Sequence, residues 1–476
     1  MRRFPDQPRW TRRELLRRLV VAGTAGSVLL ASCGGQQATP TPQPAAPATP
    51  MTGMTPMAAA TPAAMATPTA PAVRRFEGQT LNFMIIQPHV ETGRILAEEF
   101  QKEYGVTVNV TAVPYDQVQA KATLDVQSGA NQFDVFDYWY ITVGALARDG
   151  ILVDVTDWIE RDKAEIEPQD FIPTIYDVYT SYNGRRYGLP YDGDTHVLFY
   201  NAELFQKYGL SAPKTWDDYL AAAKTITEAE KTNGIYGCAI MGAKVPIIIC
   251  STFSNRLGGF GGRYLDESGK PLLTSEEALA AAEALLAQAP YALPTPLETA
   301  FEQALPAFLS GQAAMMEFWT DLGVYSEDPN QSKVIGKWDV VQMPVGGNNT
   351  RPNPSLNAGF GFGISSGSKK KDLAWEFIKF ATSKQMHLKL LTTTGSGIDP
   401  TRQSALNSNE YKTFAPKVQP AAAAALSGAF AWPTIPEAPD LMTALADELA
   451  LMLQGAKSPK QALSDAQAAW ERILKG

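Results

Sequence analysis

The sequence predicts an α/β fold in which mostly parallel sheets are flanked by helices. Strand and helix patterns alternate along the chain, beginning with the apolar strand TLNFMII at Thr80–Ile86, and such alternation is typical of parallel sheets. The globular part, about 400 residues from residue 77 onward, is too long for a single hydrophobic core. We therefore expect two lobes.

The alternation is clearest at the start of the globular part. ETGRILAEEFQKEYG has Leu96, Phe100 and Tyr104 at four-residue spacing, which predicts a helix that ends at Gly105. VTVNVTAV alternates polar and apolar residues as a second strand. A helix-like piece, Tyr115–Ser128, leads to a third strand in FDVFDYW. These elements predict a strand–helix–strand–helix–strand unit.

Helix caps mark elements in the rest of the chain. Thr215, with Asp218 three residues later, predicts a capping box at the start of a helix. Residues 440–474 are predicted to form two helices, and Ser458 followed by Pro459 caps the second. The glycine-rich stretches RLGGFGGRY and MPVGGNNTRPNP are predicted to be loops.

The amino terminus carries an export signal. TRRELLRR, from Thr11 to Arg18, is a twin-arginine stretch, and a short apolar run after it ends in LASC, Leu30–Cys33. LASC resembles the lipobox of bacterial lipoproteins, in which the cysteine carries the lipid. We interpret residues 1–32 as a twin-arginine lipoprotein signal peptide and Cys33 as the lipidated residue. An ordinary signal anchor with an incidental cysteine is the alternative.

Residues 33–76 are predicted to be a tether. The segment from Gly34 to Val73 consists mainly of Thr, Pro and Ala, without charged side chains, so it cannot bury a core. Extended, it could reach on the order of 100 Å. A lipid with such a tether would hold the globular part beside a membrane.

Charge excludes some classes of partner. The chain has a formal net charge of −8 at pH 7. Residues 1–32 contain seven arginines and two acidic residues, so residues 33–476 carry 34 basic and 47 acidic side chains, a net charge of −13. This negative charge argues against nucleic acid or an anionic membrane surface as the main partner.

Cysteine and histidine are scarce. Cys238 and Cys250 are compatible with a disulfide in an exported protein and equally with two buried thiols. The sequence has three histidines and no Cys/His cluster with metal-ligand spacing.

The stretch YDGDTH, Tyr191–His196, places polar residues at alternate positions before the apolar run VLFYN. On a strand, the side chains of Asp192, Asp194 and His196 would share one face. They could form a metal site, an acid/base pair or a set of hydrogen-bond acceptors for a polar ligand.

Several stretches resemble the family 1 extracellular solute-binding proteins of bacterial ABC sugar importers, of the maltodextrin-binding type. The most specific is NGRRYGLPYDGDTHVLFYNAELFQKYGLSAPKTWDDY. FDVFDYWYITVGALARDGILVDVTDW, AFLSGQAAMMEFWTDLG, NAGFGFGISSGSKKKDLAWEFIKF and GSGIDPTR are also similar to family segments. The matches follow the family order and cover nearly all of residues 77–476.

The resemblance implies a two-lobe periplasmic-binding-protein fold with discontinuous lobes and a solute cleft between them. Lobe one would take residues 77–189 and 362–397, and lobe two residues 190–361 and 398–476. GLPYDG, GFGFG and GSGIDP would be the three crossings, where Gly and Pro suit a hinge.

Polar side chains near the crossings are the first candidate ligand contacts. Asp194 falls where the family has an acidic ligand-contacting residue, and carboxylates bind sugar hydroxyls strongly. Asp192 is also a candidate, although a turn-capping role fits its Asp-Gly context, and His196 fits a core histidine better. The weaker polar candidates are His89, Asp321, Asp399 and Arg402. Arg402 could instead form a salt bridge with Asp399.

Aromatic side chains are the second group, because sugar C–H faces pack on flat rings. Tyr138 matches the aromatic residue of the family's first lobe, and Trp319 lies where the family often has a stacking tryptophan. Each of these side chains could instead pack in a core. The remaining candidates are Trp139, Tyr140 and Trp432, together with Gly359 and Phe360 at the second crossing.

The resemblance implies a binding protein that captures a carbohydrate or polyol and delivers it to separate ABC permease subunits. We expect a monomer without catalytic residues, cofactor, metal or nucleic acid, anchored only by its lipid and facing the periplasm or cell exterior. A glycosidase needs two carboxylates across a cleft, whereas Asp192 and Asp194 would lie side by side. A metal-binding protein would need further ligands near this pair.

Overall fold

The computed structural model describes residues 75–476. The twin-arginine stretch, Cys33 and the predicted tether as far as residue 74 lie outside the described residues. No helix within 75–476 is long and apolar enough to cross a membrane.

The described chain contains two main sheets and two short strand pairs. Its strands are β1 (Thr80–Ile86), β2 (Thr107–Val113), β3 (Val135–Trp139), β4 (Ser181–Tyr182), β5 (Arg185–Arg186), β6 (Leu189–Asp192), β7 (His196–Asn201), β8 (Met315–Trp319), β9 (Trp338–Val341), β10 (Ser355–Leu356), β11 (Phe360–Ile364) and β12 (Phe430–Ala431). A five-stranded sheet has the order β2-β1-β3-β11-β6, and a three-stranded sheet has the order β8-β7-β9. We call the parts built on these sheets the first and the second lobe.

Helices cover both sheets. The α-helices of the described residues are Val90–Tyr104, Val118–Gln127, Val143–Arg148, Thr156–Arg161, Lys163–Ile166, Pro173–Tyr179, Ala202–Lys207, Trp216–Glu230, Pro246–Gly259, Glu276–Gln288, Phe301–Leu309, Leu322–Ser326, Lys371–Ala381, Lys384–Leu391, Gln403–Leu406, Asn409–Phe414, Val418–Gly428, Ala438–Leu453 and Pro459–Ile473. The sheets and helices enclose an apolar core in which most strand side chains are fully buried.

Most of the predicted local elements are confirmed. RLGGFGGRY is only partly the predicted loop, because its first four residues, 256–259, form the last turn of the apolar helix Pro246–Gly259. The first strand has the predicted bounds, and the helix after it ends at Gly105 in the left-handed conformation. Thr215 and Asp218 form the predicted capping box, and Ser458 caps the last helix. These features depend on neighbouring residues, so the sequence carries their signal directly.

Four of the five strands of the five-stranded sheet run in the same direction, as predicted for a mostly parallel sheet. β1 pairs parallel with β2 and β3, whereas β11 runs antiparallel to both β3 and β6. In the three-stranded sheet, β7 pairs antiparallel with β8 and β9. The antiparallel pairings have one cause. β7 and β11 each begin directly after a chain crossing, at the sheet edge where the neighbouring strands end, so each runs in the opposite direction to its neighbours.

The registers place several strand ends together. Phe360, the first residue of β11, lies opposite Trp139 and Asp192, the last residues of β3 and β6. In the other sheet, His196 begins β7 opposite Trp319, which ends β8. The crossings therefore lie at the strand ends of both sheets, a usual location for ligands in α/β proteins. β6 extends to Asp192 and β11 starts at Phe360, so the predicted boundaries at 189/190 and 361/362 fall within strands of the first lobe.

Cys238 and Cys250 are both buried and free. The disulfide alternative is therefore excluded in this structure. Cys238 lies beside the second-lobe sheet, in a bridge with Ala292, and the Cys250 thiol donates to the Met442 carbonyl. Each cysteine packs as a small apolar side chain.

Candidate functional site

Three chain crossings meet between the sheets and bind one another. The first joins β6 to β7, the second leads into β11, and the third contains Asp399. The Gly359 amide donates to Asp194 Oδ2 at 2.8 Å, and the Asp399 amide donates to Asp192 Oδ1 at 2.7 Å. The aspartates of YDGDTH therefore join all three crossings.

Glycine is required at two of these crossings by close approach. Gly359 has φ +78°, and a Cβ there would lie 2.1 Å from Tyr179 Oη. A Cβ on Gly193 would lie 2.1 Å from the Pro400 carbonyl oxygen. A larger residue at Gly193 would push the first and third crossings apart, and a larger residue at Gly359 would push the second crossing away from Tyr179.

A cavity of about 510 Å³, partly open to solvent, lies at the junction. His89 contributes from the first lobe, Trp319 and Asp321 from the second, and Asp194 from the first crossing. The other aromatic side chains around it are Tyr115, Phe301, Tyr325 and Phe360. None of the described lining residues is Lys or Arg. The cavity therefore combines flat apolar surfaces with carboxyl groups.

The Trp319 ring is held in place at the cavity wall. Its Nε1 donates to Asn357 Oδ1 at 3.1 Å, and its ring meets His196 edge to face with centroids 4.6 Å apart. His196 in turn accepts a hydrogen bond from Asn255 at Nδ1. His196 is therefore a buried histidine that supports Trp319, as the sequence interpretation favoured.

Four carboxyl groups lie close together at the crossings. Burial, followed by repulsion from neighbouring carboxylates, raises the pKa values of Asp192 and Asp194 well above their usual range. The same causes act on Asp321, and burial raises the pKa of Asp399 to about 6. Within the described chain, neither Asp192 Oδ2 nor Asp321 Oδ1 has a hydrogen-bond partner. The cluster is therefore short of positive charge and of donors.

His89 connects this cluster to the first lobe. Burial lowers its pKa to about 3, so the ring is neutral. Tyr191 Oη lies 2.8 Å from His89 Nδ1 and donates to Asp137 Oδ2, while His89 Nε2 lies 3.5 Å from Asp192 Oδ2. His89 therefore links Tyr191 and Asp137 of the first lobe to Asp192 at the first crossing.

Five of the expected ligand contacts line the cavity, namely Asp194, Trp319, Asp321, His89 and Phe360. Their contact with a solute stays a prediction. Asp192, Asp399 and Gly359 lie directly behind its wall and join the crossings. Asp399 accepts hydrogen bonds from the backbone amide and hydroxyl of Thr320.

The expected contacts of Tyr138 and Tyr140 need correction. Tyr138 is buried against Gly361 and Gly363 inside the first lobe. Tyr140 stacks on Tyr179, and its hydroxyl donates to the Leu356 carbonyl. Both side chains pack within the protein and neither lines the cavity.

The expected ligand contact of Arg402 also needs correction. Among the described residues it lines neither this cavity nor the neighbouring one around Trp139, and its ion pair is with Asp170 and not with Asp399. Its guanidinium donates to the carbonyls of Thr382 and Ile166 and pairs with Asp170 at 3.3 Å, stacked on the Phe171 ring. Arg402 therefore fastens the third crossing to helices of the first lobe.

The two remaining candidate tryptophans, Trp139 and Trp432, do not line the cavity at the crossings. Trp139 lines a neighbouring cavity of about 860 Å³, which shares Tyr115 and Ile247 with the first. Its ring meets that of Trp432 edge to face at 5.6 Å. Trp432 is buried and lines neither cavity, so its expected role as a contact is corrected.

Three aromatic lining residues were missed. Tyr115 follows the end of β2, and its place beyond a strand end was a usable signal. Phe301 begins one helix and Tyr325 lies in another, and nothing local in the sequence points to the cleft. As for the metal alternative, the described residues contain no group of three or more His, Cys, Asp or Glu arranged to hold an ion.

Comparisons with known proteins agree with this architecture. A family model for bacterial extracellular solute-binding proteins matches residues 88–387. A probable amino-acid ABC transporter periplasmic-binding protein of Sinorhizobium fredii is 27% identical over 390 residues, 80% of this chain and 85% of that protein. The mannitol-binding protein of Pseudomonas aeruginosa is 25% identical over 312 residues, 63% of this chain and 67% of that protein. An ABC transporter solute-binding protein from Agrobacterium radiobacter, solved with ribitol, aligns with a TM-score of 0.77 at 28% identity, covering 84% of this chain and 99% of that chain.

Proposed function

The chain belongs to the bacterial extracellular solute-binding protein family, and on that premise we propose that its cleft binds a carbohydrate or polyol for delivery to an ABC importer. The permease and ATPase subunits would be separate chains. The protein would act by binding alone, as a monomer.

The composition of the cavity is the observation that carries this proposal. A sugar or polyol presents hydroxyl donors and apolar C–H surfaces. Trp319 and Phe360 offer flat surfaces for the C–H groups. Asp194 and Asp321 offer acceptors for the hydroxyls, and hydrogen bonds to carboxylates are stronger than those between neutral groups.

Binding would favour a closed arrangement of the lobes. The cavity wall includes Trp319 from one lobe, His89 from the other and the crossings between them, so a solute that contacts all of them stabilises the arrangement that brings them together. A solute would need about 5.5 kcal/mol of preference for the closed state to change its population from 1% to 99%. The permease would recognise that state.

An amino acid is the second candidate. The amino end of the helix Pro246–Gly259 borders the cavity at Ile247 and Ile248, and helix amino ends favour carboxylates. Against it, the carboxylate of an amino acid would enter a cavity with Asp194 and Asp321 in its wall and no Lys or Arg among its described lining residues. We therefore favour a solute without an acidic group.

Export and anchoring complete the proposal. Residues 1–32 would direct export through the twin-arginine route, Cys33 would carry the lipid, and residues 33–76 would tether the globular part. Cys33→Ala should move the protein from the membrane fraction to the soluble extracytoplasmic fraction. If the variant stayed with the membrane, the anchor would have to lie elsewhere.

Thermal unfolding of the full chain against a panel of solutes tests the function. The panel contains neutral sugars, polyols, amino acids, phosphorylated sugars and divalent metals with and without chelator. A ligand at 100 times its Kd adds about 2.7 kcal/mol, which raises the midpoint of 402 described residues by about 3 °C. A rise confined to sugars or polyols supports the proposal. A rise confined to amino acids or to metals contradicts it.

A further inference from the structure

Within residues 75–476 the carboxyl groups of the cleft have no Lys or Arg partner, which is unusual for buried acids. Asp192, Asp194 and Asp399 are each at most 6% exposed. The groups that influence this cluster are the four carboxyls themselves, His89 and the tyrosines 179, 191, 325 and 411. Within residues 75–476 no Lys or Arg side chain faces them. Buried carboxylates are normally paired with a cation or hold a proton.

Two observations independent of charge indicate that the ligand itself supplies the missing cationic partner of these carboxyl groups. Asp192 Oδ2 is fully buried and has no hydrogen-bond partner in the described chain, and neither has Asp321 Oδ1. Asp321 is among the residues that line the cavity. Aromatic rings also surround the cavity, and the faces of such rings attract organic cations. The site is therefore built for donors and for positive charge.

We propose that the solute is an amino sugar or amino polyol, whose protonated nitrogen binds between Asp194 and Asp321 while its hydroxyls and C–H faces use the rest of the cavity. This inference rests on the proposed function and specifies its substrate class. A metal ion fits the site less well, because the walls are mainly hydrocarbon and aromatic and cannot supply the six to eight oxygens that calcium requires.

The raised pKa values of these carboxyls give the proposal a proton signature. Before binding, burial and mutual repulsion raise the pKa values of these carboxyls, so they hold protons more tightly than exposed carboxyls do. An ammonium group stabilises the carboxylates, so its binding lowers their pKa values and releases protons. Affinity for the amine should therefore increase as the pH rises from 5 to 7, and affinity for a neutral analogue should not.

The experiment compares matched ligands that differ in one group. Full-chain protein is titrated calorimetrically with D-glucose, D-glucosamine and N-acetyl-D-glucosamine, and with D-glucitol and 1-amino-1-deoxy-D-glucitol. Each titration is repeated in two buffers of different ionisation enthalpy, which reports proton release. We expect at least one amine to bind at least tenfold more tightly than its hydroxyl counterpart and to release protons at pH 7.

Variants separate charge from shape. Asp321→Asn keeps the size and the hydrogen-bonding capacity of the side chain but removes its charge, and it should abolish the tenfold preference for the amine. Glu267→Gln, at an exposed position away from the cleft, should leave the preference unchanged. Because the proton release is measured on the unaltered protein, the proposal is tested even if Asp321→Asn does not fold.

Each outcome has one meaning. If the hydroxyl compounds bind and the amines bind equally or less tightly, this inference is wrong while the proposed function stands. If neither group binds while another sugar or polyol of the thermal panel does, this inference is wrong and the proposed function stands. If only the amino acids or the metals of that panel bind, both are wrong. Tighter amine binding without proton release, or with the preference retained in Asp321→Asn, would also overturn the assignment to this carboxyl cluster.

Discussion

Asp194 accepts a hydrogen bond from the backbone amide of Gly359, 2.8 Å away and 165 positions later in the chain. This bond joins the first crossing to the second at the wall of the cavity. The same side chain therefore fixes the junction of the lobes and presents a carboxyl group to the cleft. Replacing it should affect binding and lobe geometry differently according to the substitute.

Asp194→Asn should weaken ligand binding with little loss of stability. The amide oxygen can still accept from Gly359, but the charged acceptor is lost, and hydrogen bonds to charged groups contribute about 1.5–3 kcal/mol. We expect Kd for the best solute of the panel to rise by about tenfold to a hundredfold, measured by calorimetry. Asp217→Asn, at an exposed position, is the control. Unchanged binding in Asp194→Asn would remove this residue from the site.

Gly359→Ala should destabilise the protein by more than the backbone conformation alone explains. Its φ of +78° costs an alanine about 1–2 kcal/mol, and the new Cβ would also meet Tyr179 Oη. Gly184→Ala is the matched control, because it has φ +72° and open space around the position of the Cβ. Denaturant unfolding should rank Gly359→Ala clearly below Gly184→Ala. Tyr179→Phe should not restore it, because the ring atoms Cε2 and Cζ would still lie 2.3 Å from the new Cβ. Equal losses would show that no close packing exists at this crossing.

The carboxyl cluster should make the protein less stable as the pH rises. The pKa of Asp192 is raised in the folded state by burial and by Asp399, so the folded state binds its proton more tightly than the unfolded state does. The stabilising contribution is complete below about pH 4 and is lost as the pH rises through the raised pKa, by at most about 1.4 kcal/mol per pH unit.

Asp192→Asn tests that dependence. The amide oxygen can still accept from the Asp399 amide, while the titrating group is gone. Relative to the unaltered protein, the unfolding midpoint of the variant should rise steadily between pH 4 and pH 7. A constant difference across this range would mean that Asp192 titrates normally.

Arg402→Met should cost stability and leave binding intact. The guanidinium is buried and satisfies two carbonyls as well as Asp170, and breaking such a buried pair costs about 3 kcal/mol or more. Arg402 lines no part of the cavity, so Kd for the solute should change by less than twofold. A large loss of affinity in well-folded protein would restore Arg402 as a ligand contact.

The sequence predicted the local elements and part of the site for a common physical reason. Strand patterns and helix caps depend on residues close in sequence, so Thr80–Ile86 and the Thr215–Asp218 box were predictable. Asp194 was predictable because it follows a strand at a crossing. Trp319 was predictable only through the resemblance, since its pattern fits a core tryptophan as well.

The misassigned residues depended on tertiary packing. Two aromatics, Tyr138 and Trp139, end β3, and Tyr140 follows directly. Tyr138 packs inward because Gly361 and Gly363 on the neighbouring strand leave room for its ring. Arg402 was assigned by its closeness in sequence to Asp399, whereas its partner Asp170 lies 232 positions earlier. Phe301 and Tyr325 reach the cavity only because their helices pack beside it.

The most direct test of a solute site in this cleft is calorimetric titration of Trp319→Ala with the sugar or polyol that most stabilises the unaltered protein. Trp158→Ala is the control, because Trp158 is a partly buried tryptophan that packs on Trp375 in the first lobe. We predict that Trp319→Ala weakens binding at least tenfold, through loss of the stacking surface, and that Trp158→Ala binds as the unaltered protein does. Equal affinity in Trp319→Ala and the unaltered protein would contradict the account, since the solute would then bind elsewhere.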